Sequence, residues 1–127
     1  MNPTISHYEL IGGEKGTRQL VDRFYDLMDE KDEVSELRQL HAKSLHVSRE
    51  KLFLFLSGWL GGPPLYIEKY GHPRLRQRHM PFAIGNKESN QWLLCMNQAL
   101  DEQIKDKELN TRLKDAFKKV AEHMINQ

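Results

Sequence analysis

The sequence has almost no sulfur chemistry to offer. Of its 127 residues one is a cysteine, Cys95, which excludes an internal disulfide and any Cys-rich zinc or iron–sulfur site. Long apolar runs are missing too. Stretches such as Leu52–Leu56 stop at five residues, far short of the roughly 18–20 that a membrane helix needs. Over Met1–Leu10 no basic segment precedes an apolar one, so no secretory signal is read there. Net charge is nearly absent: 19 Lys+Arg against 18 Asp+Glu leave +1. A domain so balanced has no overall electrostatic footprint for nucleic acid or an acidic membrane. There is no repeat, linker or low-complexity tract. These absences leave a cytoplasmic globular protein as the expectation, a single domain over 1–127. A chain of this size buries only about two-thirds of its unfolded surface, so a large apolar ligand would help fill a thin core.

What is present is mostly helix signal. Leu20, Val21, Phe24, Leu27 and Met28 share one helical face and predict a helix over about 14–30. A short segment follows at about 34–41 with Leu37 and Leu40. The run Leu52–Leu56 predicts a helix over about 48–60, with Ser48 as N-cap and Gly61-Gly62-Pro63-Pro64 as its end. Helices are also predicted over about 87–104, through Trp92, Leu93, Met96, Ala99, Leu100 and Ile104, and over about 107–125. The latter carries Leu109, Leu113, Ala116, Phe117, Val120, Ala121 and Met124, the cleanest 3.6-residue stripe in the chain. Four of the five prolines fall between 61 and 85 with four glycines, so that stretch reads as irregular around a short basic segment at about 72–79. No strand is predicted and the fold class is all-α.

The irregular middle holds the strongest chemical signal. Lys69, Arg74, Arg76 and Arg78 face Glu68 alone over residues 67–79, a local +3. Such a cluster suits a phosphate or a carboxylate; the plain alternative is a solvated face. His79 ends the cluster and precedes the apolar run Met80-Pro81-Phe82-Ala83-Ile84. No second His, Cys or carboxylate stands at a chelating spacing from it. Haem iron needs only one protein ligand, since the porphyrin supplies four. Haem also needs an apolar slot and cations for its propionates, which the flanking apolar residues and the basic cluster provide. A lone histidine is ordinarily structural, however, and a haem-free helical module that binds an anionic partner through Arg74–His79 is the competing reading.

The pieces together resemble the group II truncated haemoglobins. The resemblance runs from Tyr8-Glu9-Leu10-Ile11-Gly12-Gly13 to His123-Met124-Ile125-Asn126. Its most specific stretches are Gly61-Gly62-Pro63-Pro64-Leu65-Tyr66 and Gly71-His72-Pro73-Arg74-Leu75-Arg76-Gln77-Arg78-His79-Met80-Pro81-Phe82, supported by Arg23-Phe24-Tyr25 and Trp92-Leu93-Leu94-Cys95-Met96. It implies a two-over-two helical sandwich around one haem b. His79 takes the place of the proximal iron ligand. Tyr25, His41 and Trp92 take the places of the distal polar residues, with Phe24, Ser48, Leu52, Phe55 and Leu56 around them. Tyr66, His72, Leu75, Arg76, Arg78 and Phe82 are expected to contact the haem or its propionates. The sequence departs from its relatives at Ala42, where they commonly have Pro, and at His41, where they have Tyr or Phe; a histidine there is titratable.

The implied function is reversible binding of dioxygen, and of nitric oxide or carbon monoxide. Bound dioxygen carries partial negative charge, and a Tyr O–H, an indole N–H and an imidazole N–H are all donors to it. Each such bond in a dry pocket is worth about 1–3 kcal/mol. Two would slow release by a factor of order ten to several thousand. Slow release suits ligand sensing, or oxidative and nitrosative detoxification, better than bulk transport. Peroxidase-like or nitric oxide dioxygenase turnover would need an electron-donating reductase that the sequence does not name. A monomer or weak homo-oligomer is expected.

Overall fold

The computed structural model describes residues 5–127. Residues 1–4, on which part of the Met1–Leu10 reading falls, lie outside them. Among the described residues every regular element is a helix: α1 His7–Leu10, α2 Gly13–Glu30, a 3-10 turn at Asp32–Val34, α3 Ser35–Gln39, α4 His46–Trp59, α5 Leu65–Tyr70, α6 Leu75–His79, α7 Asn86–Gln103 and α8 Lys107–His123.

The four long helices form where the periodicity places them. α2 buries the face made by Leu20, Val21, Phe24, Leu27 and Met28. α2 packs against α4 on one side and α7 on the other, and α7 packs against α8. The pairs α2–α4 and α7–α8 are thus the two layers of a two-over-two sandwich. Ion pairs tie the helices together: within one layer Arg49 of α4 reaches Asp22 at 3.2 Å and Asp26 at 2.7 Å on α2, and between the layers Arg23 of α2 reaches Glu102 on α7 at 2.6 Å. Pairs this exposed contribute only about 0.2–1 kcal/mol each, so apolar burial carries the stability.

Three local features differ from the sequence reading. α4 starts two residues early. The Ser44 hydroxyl accepts the His46 N–H at 3.3 Å, which leaves Ser48 inside the first turn rather than capping it. The Pro- and Gly-rich middle is not wholly irregular, because α5 begins directly after Pro63-Pro64. The first turn of a helix has N–H groups without internal partners, so proline costs nothing there, and Gly71, at φ 82°, ends the helix. The one-turn α1 also went unread. Its N-cap Ser6 accepts the Glu9 N–H at 3.2 Å, and α1 meets α2 so tightly that a Cβ on Gly16 would stand 1.7 Å from the Ile11 carbonyl oxygen.

Candidate functional site

A cavity of about 570 Å³ opens between the layers. α2 contributes Tyr25, and the turn after α3 contributes His41 and Ala42. α4 supplies Ser48, Lys51, Leu52, Phe55, Leu56 and Trp59; α5 and α6 supply Tyr66, Leu75, Arg78 and His79. Trp92 of α7 and the α8 stripe Phe117, Val120, Ala121 and Met124 complete most of the wall. The surface is therefore largely apolar and aromatic, with a few polar groups at fixed places, as small-molecule sites are.

Twelve residues expected at a site are brought together here: Tyr25, His41, Ser48, Leu52, Phe55, Leu56, Tyr66, Leu75, Arg78, His79, Phe82 and Trp92. Three are not. Phe24 is wholly buried behind the wall, edge-on to Tyr25 at 4.9 Å and 5.0 Å from Trp92; it props the two polar aromatics instead of lining the space. His72 is exposed, and its Nδ1 accepts the Arg74 N–H at 3.1 Å. Arg76 is exposed and turns back along α6 toward the Met80 sulfur at 3.6 Å. The α8 residues, Leu40, Lys51, Trp59, Ile84, Glu88 and Ser89 also line the cavity and were not singled out from sequence. For α8 the available signal was its apolar stripe, which a cavity wall and a core share.

The polar groups have defined states. The His79 Nδ1 lies 2.6 Å from the Leu75 carbonyl oxygen. A carbonyl only accepts, so Nδ1 carries a proton, and in the neutral ring the free lone pair is on Nε2. His41 repeats the device, with Nδ1 3.0 Å from the Leu37 carbonyl oxygen. Burial lowers its pKa, opposed by the Leu37 bond and reinforced by Arg38 and His79; neutral His41 therefore presents an acceptor nitrogen, not the N–H donor expected of it. Tyr25 is 6% exposed, and burial pushes its hydroxyl pKa far up against the opposing pull of Arg49 and Ser48. It is a protonated donor at every physiological pH. The Trp92 indole N–H makes no hydrogen bond with the described residues and stands at the same cavity. At the rim, Arg78 lies 5.8 Å over the Tyr66 ring and Lys51 lies 5.6 Å from the Tyr70 ring.

Comparison with known proteins decides what the cavity belongs to. The family model described as bacterial-like globin matches residues 6–126. The chain is 40% identical over 120 residues to group 2 truncated hemoglobin YjbI of Bacillus subtilis, covering 94% of this chain and 88% of that protein. The chain belongs to the group II truncated haemoglobins. Among solved structures this globin superposes on the cold-adapted truncated hemoglobin of the Antarctic marine bacterium Pseudoalteromonas haloplanktis with a TM-score of 0.95 and 45% identity, covering 97% of this chain and 99% of that one. It superposes on the truncated oxygen-avid haemoglobin from Bacillus subtilis with a TM-score of 0.87 and 38% identity, covering 96% and 100%.

The globin is a haem protein that binds diatomic ligands such as oxygen. The cavity fits the cofactor by its own chemistry. It has apolar walls for the macrocycle, the His79 imidazole with Nδ1 held by the Leu75 carbonyl so that Nε2 is free, and cations at its rim. Among the described residues no three His, Cys, Asp or Glu side chains converge, and haem requires no such cluster. No helix among the described residues is long and apolar enough to cross a membrane.

Proposed function

We propose that this globin is a single cytoplasmic domain that holds a diatomic ligand, dioxygen above all, tightly enough for sensing or for oxidative and nitrosative detoxification. The observation that carries the proposal is the pair of donors on one apolar cavity: the Tyr25 hydroxyl, kept protonated by burial, and the Trp92 indole N–H without another acceptor.

Haem, when bound, supplies the iron centre that takes the ligand. The chain supplies the rest. His79 offers Nε2 as the protein ligand, aimed by the Leu75 carbonyl, a partner that raises imidazole basicity less than a carboxylate would. Tyr25 and Trp92 donate to the partial negative charge of the ligand, and Leu52, Phe55 and Leu56 keep water away so that those bonds keep their strength. His41 accepts at Nε2 when neutral, which places it to hold a proton at that atom on the wall of the cavity. Arg78 and Lys51, with Tyr66, are the groups at the rim for the propionates. The oxygen-avid character of the Bacillus subtilis relative supports tight retention here.

The test is oxygen dissociation from the ferrous holoprotein, followed by stopped flow with carbon monoxide as the replacing ligand. Tyr25→Phe and Trp92→Phe should each speed release about tenfold or more, by loss of about 1–3 kcal/mol. Wild-type rates unchanged in both variants would overturn the proposal.

A further inference from the structure

Charge is distributed very unevenly on this nearly neutral chain. Residues 51–80 contain Lys51, Lys69, Arg74, Arg76 and Arg78 against Glu68 alone. That is a local +4, so with a total of +1 the remainder carries −3. None of these five cations makes an ion pair with the described residues, whereas nine other Lys and Arg side chains do. Glu50, the acid beyond the cluster that feels Lys69, is already held by Arg18 at 2.8 Å. The cluster adjoins the cavity, since two of its members, Lys51 and Arg78, line it. Two propionates would neutralise part of the charge and leave Lys69, Arg74 and Arg76 unmatched.

Apolar exposure is concentrated in the same place. Of eight large apolar side chains exposed on the described residues, four, Ile67, Tyr70, Met80 and Phe82, fall within residues 67–82. Exposed apolar groups ringed by unpaired charge of one sign mark a protein-binding surface. A second copy cannot use this face symmetrically, because it would set the cations against themselves. Two short helices offer a small patch, suited to the brief, low-area encounters of electron-transfer partners.

We propose that the α5–α6 face is a docking surface for an acidic electron-carrier protein, which meets the chain at the cavity mouth through Lys69, Arg74, Arg76 and the exposed Ile67 and Phe82. This rests on the detoxification reading above, which consumes reducing equivalents. In the encounter one electron leaves the carrier's reduced centre, which is oxidised, and ferric haem becomes ferrous; no bond forms or breaks and no proton moves.

The probe is a plant-type [2Fe–2S] ferredoxin with the haem-loaded globin. Oxidised ferredoxin is titrated calorimetrically, and reduction of the ferric globin by reduced ferredoxin is followed by stopped flow, both at 20 and 300 mM salt. The expected result is a tenfold or greater loss of affinity and rate at high salt and in Lys69→Glu/Arg74→Glu, with oxygen dissociation unchanged in that variant. Reduced methyl viologen, a cation, should react with the variant no more slowly than with wild type. Equal affinity and rate in wild type and variant overturn the proposal. So does binding to phosphatidylglycerol vesicles that is lost in the variant while the ferredoxin measurements stay constant, which would make the face a membrane contact. The oxygen dissociation rates of Tyr25→Phe and Trp92→Phe bear on the pocket alone, so either reading can fail without the other.

Discussion

Asn126 holds the segment that carries His79. Its Nδ2 donates to the His79 carbonyl at 3.4 Å and to the Phe82 carbonyl at 2.8 Å, and its Oδ1 accepts the Ile84 N–H at 3.0 Å. Its own backbone N–H donates to the Ile84 carbonyl at 2.8 Å. α6 is one short helix with no buried residue, so these bonds do for it what core packing does for the long helices. Asn126→Ala removes the three side-chain bonds to residues 79–84, each worth about 1 kcal/mol net. Transfer of haem from the variant to excess apomyoglobin should be about ten to a hundred times faster than from wild type, and an unchanged rate would show that α6 is held by something else.

The state of His41 makes the apoprotein sensitive to mild acid. Burial lowers its pKa below the ordinary 6.5, so above that pH it is neutral folded or unfolded and contributes no pH dependence. As pH falls below 6.5 the unfolded chain takes up a proton that the folded chain resists, and stability drops until the folded pKa is passed. The melting temperature should therefore fall more between pH 7.5 and pH 5 in wild type than in His41→Phe. Parallel curves for the two proteins would contradict this.

Gly16 answers to space, not to backbone angle. A Cβ there would stand 1.7 Å from the Ile11 carbonyl oxygen, and backbone cannot yield as a side-chain tip can. Gly16→Ala should destabilise by about 3 kcal/mol, read as the shift in urea midpoint at constant slope, whereas Gly71→Ala meets no atom within 4 Å and incurs only the strain of its positive φ.

Haem removal should lower the melting temperature steeply. A ligand present at a thousand times its Kd stabilises by about 4 kcal/mol, and about 1 kcal/mol moves a domain of this size by roughly 4 °C. Scanning calorimetry of the apo- and holoprotein measures the difference, and equal midpoints would mean that the cavity walls do not depend on the cofactor.

The long helices were legible because a 3.6-residue apolar stripe has one cause, burial on one side. α5 was not, because composition was read without position: Pro63-Pro64 forbid a helix interior but open one freely. Ser48 looked like a cap by residue type, yet it sits inside the first turn, and the N-cap position falls to Leu45, whose side chain makes no capping bond. Tyr25, Trp92 and His79 were named through the resemblance, and the cavity brings them together. The His41 tautomer could not be read from sequence, because it depends on the Leu37 carbonyl across one helical turn. The α8 stripe was not recognised as a cavity wall for a simple reason. A side chain that faces a flat apolar cofactor and one that faces another helix are chosen by the same hydrophobic effect.

The aromatic wall gives the protein a built-in optical gauge. Its two tryptophans are Trp59 and Trp92, both line the cavity, and Phe117 touches each, at 4.7 and 5.7 Å between ring centres. No indole sits elsewhere to give a background signal. Emission from the whole chain is then governed by one compartment, dark when a porphyrin quenches both rings and bright when the compartment is vacated, so occupancy can be followed without any label.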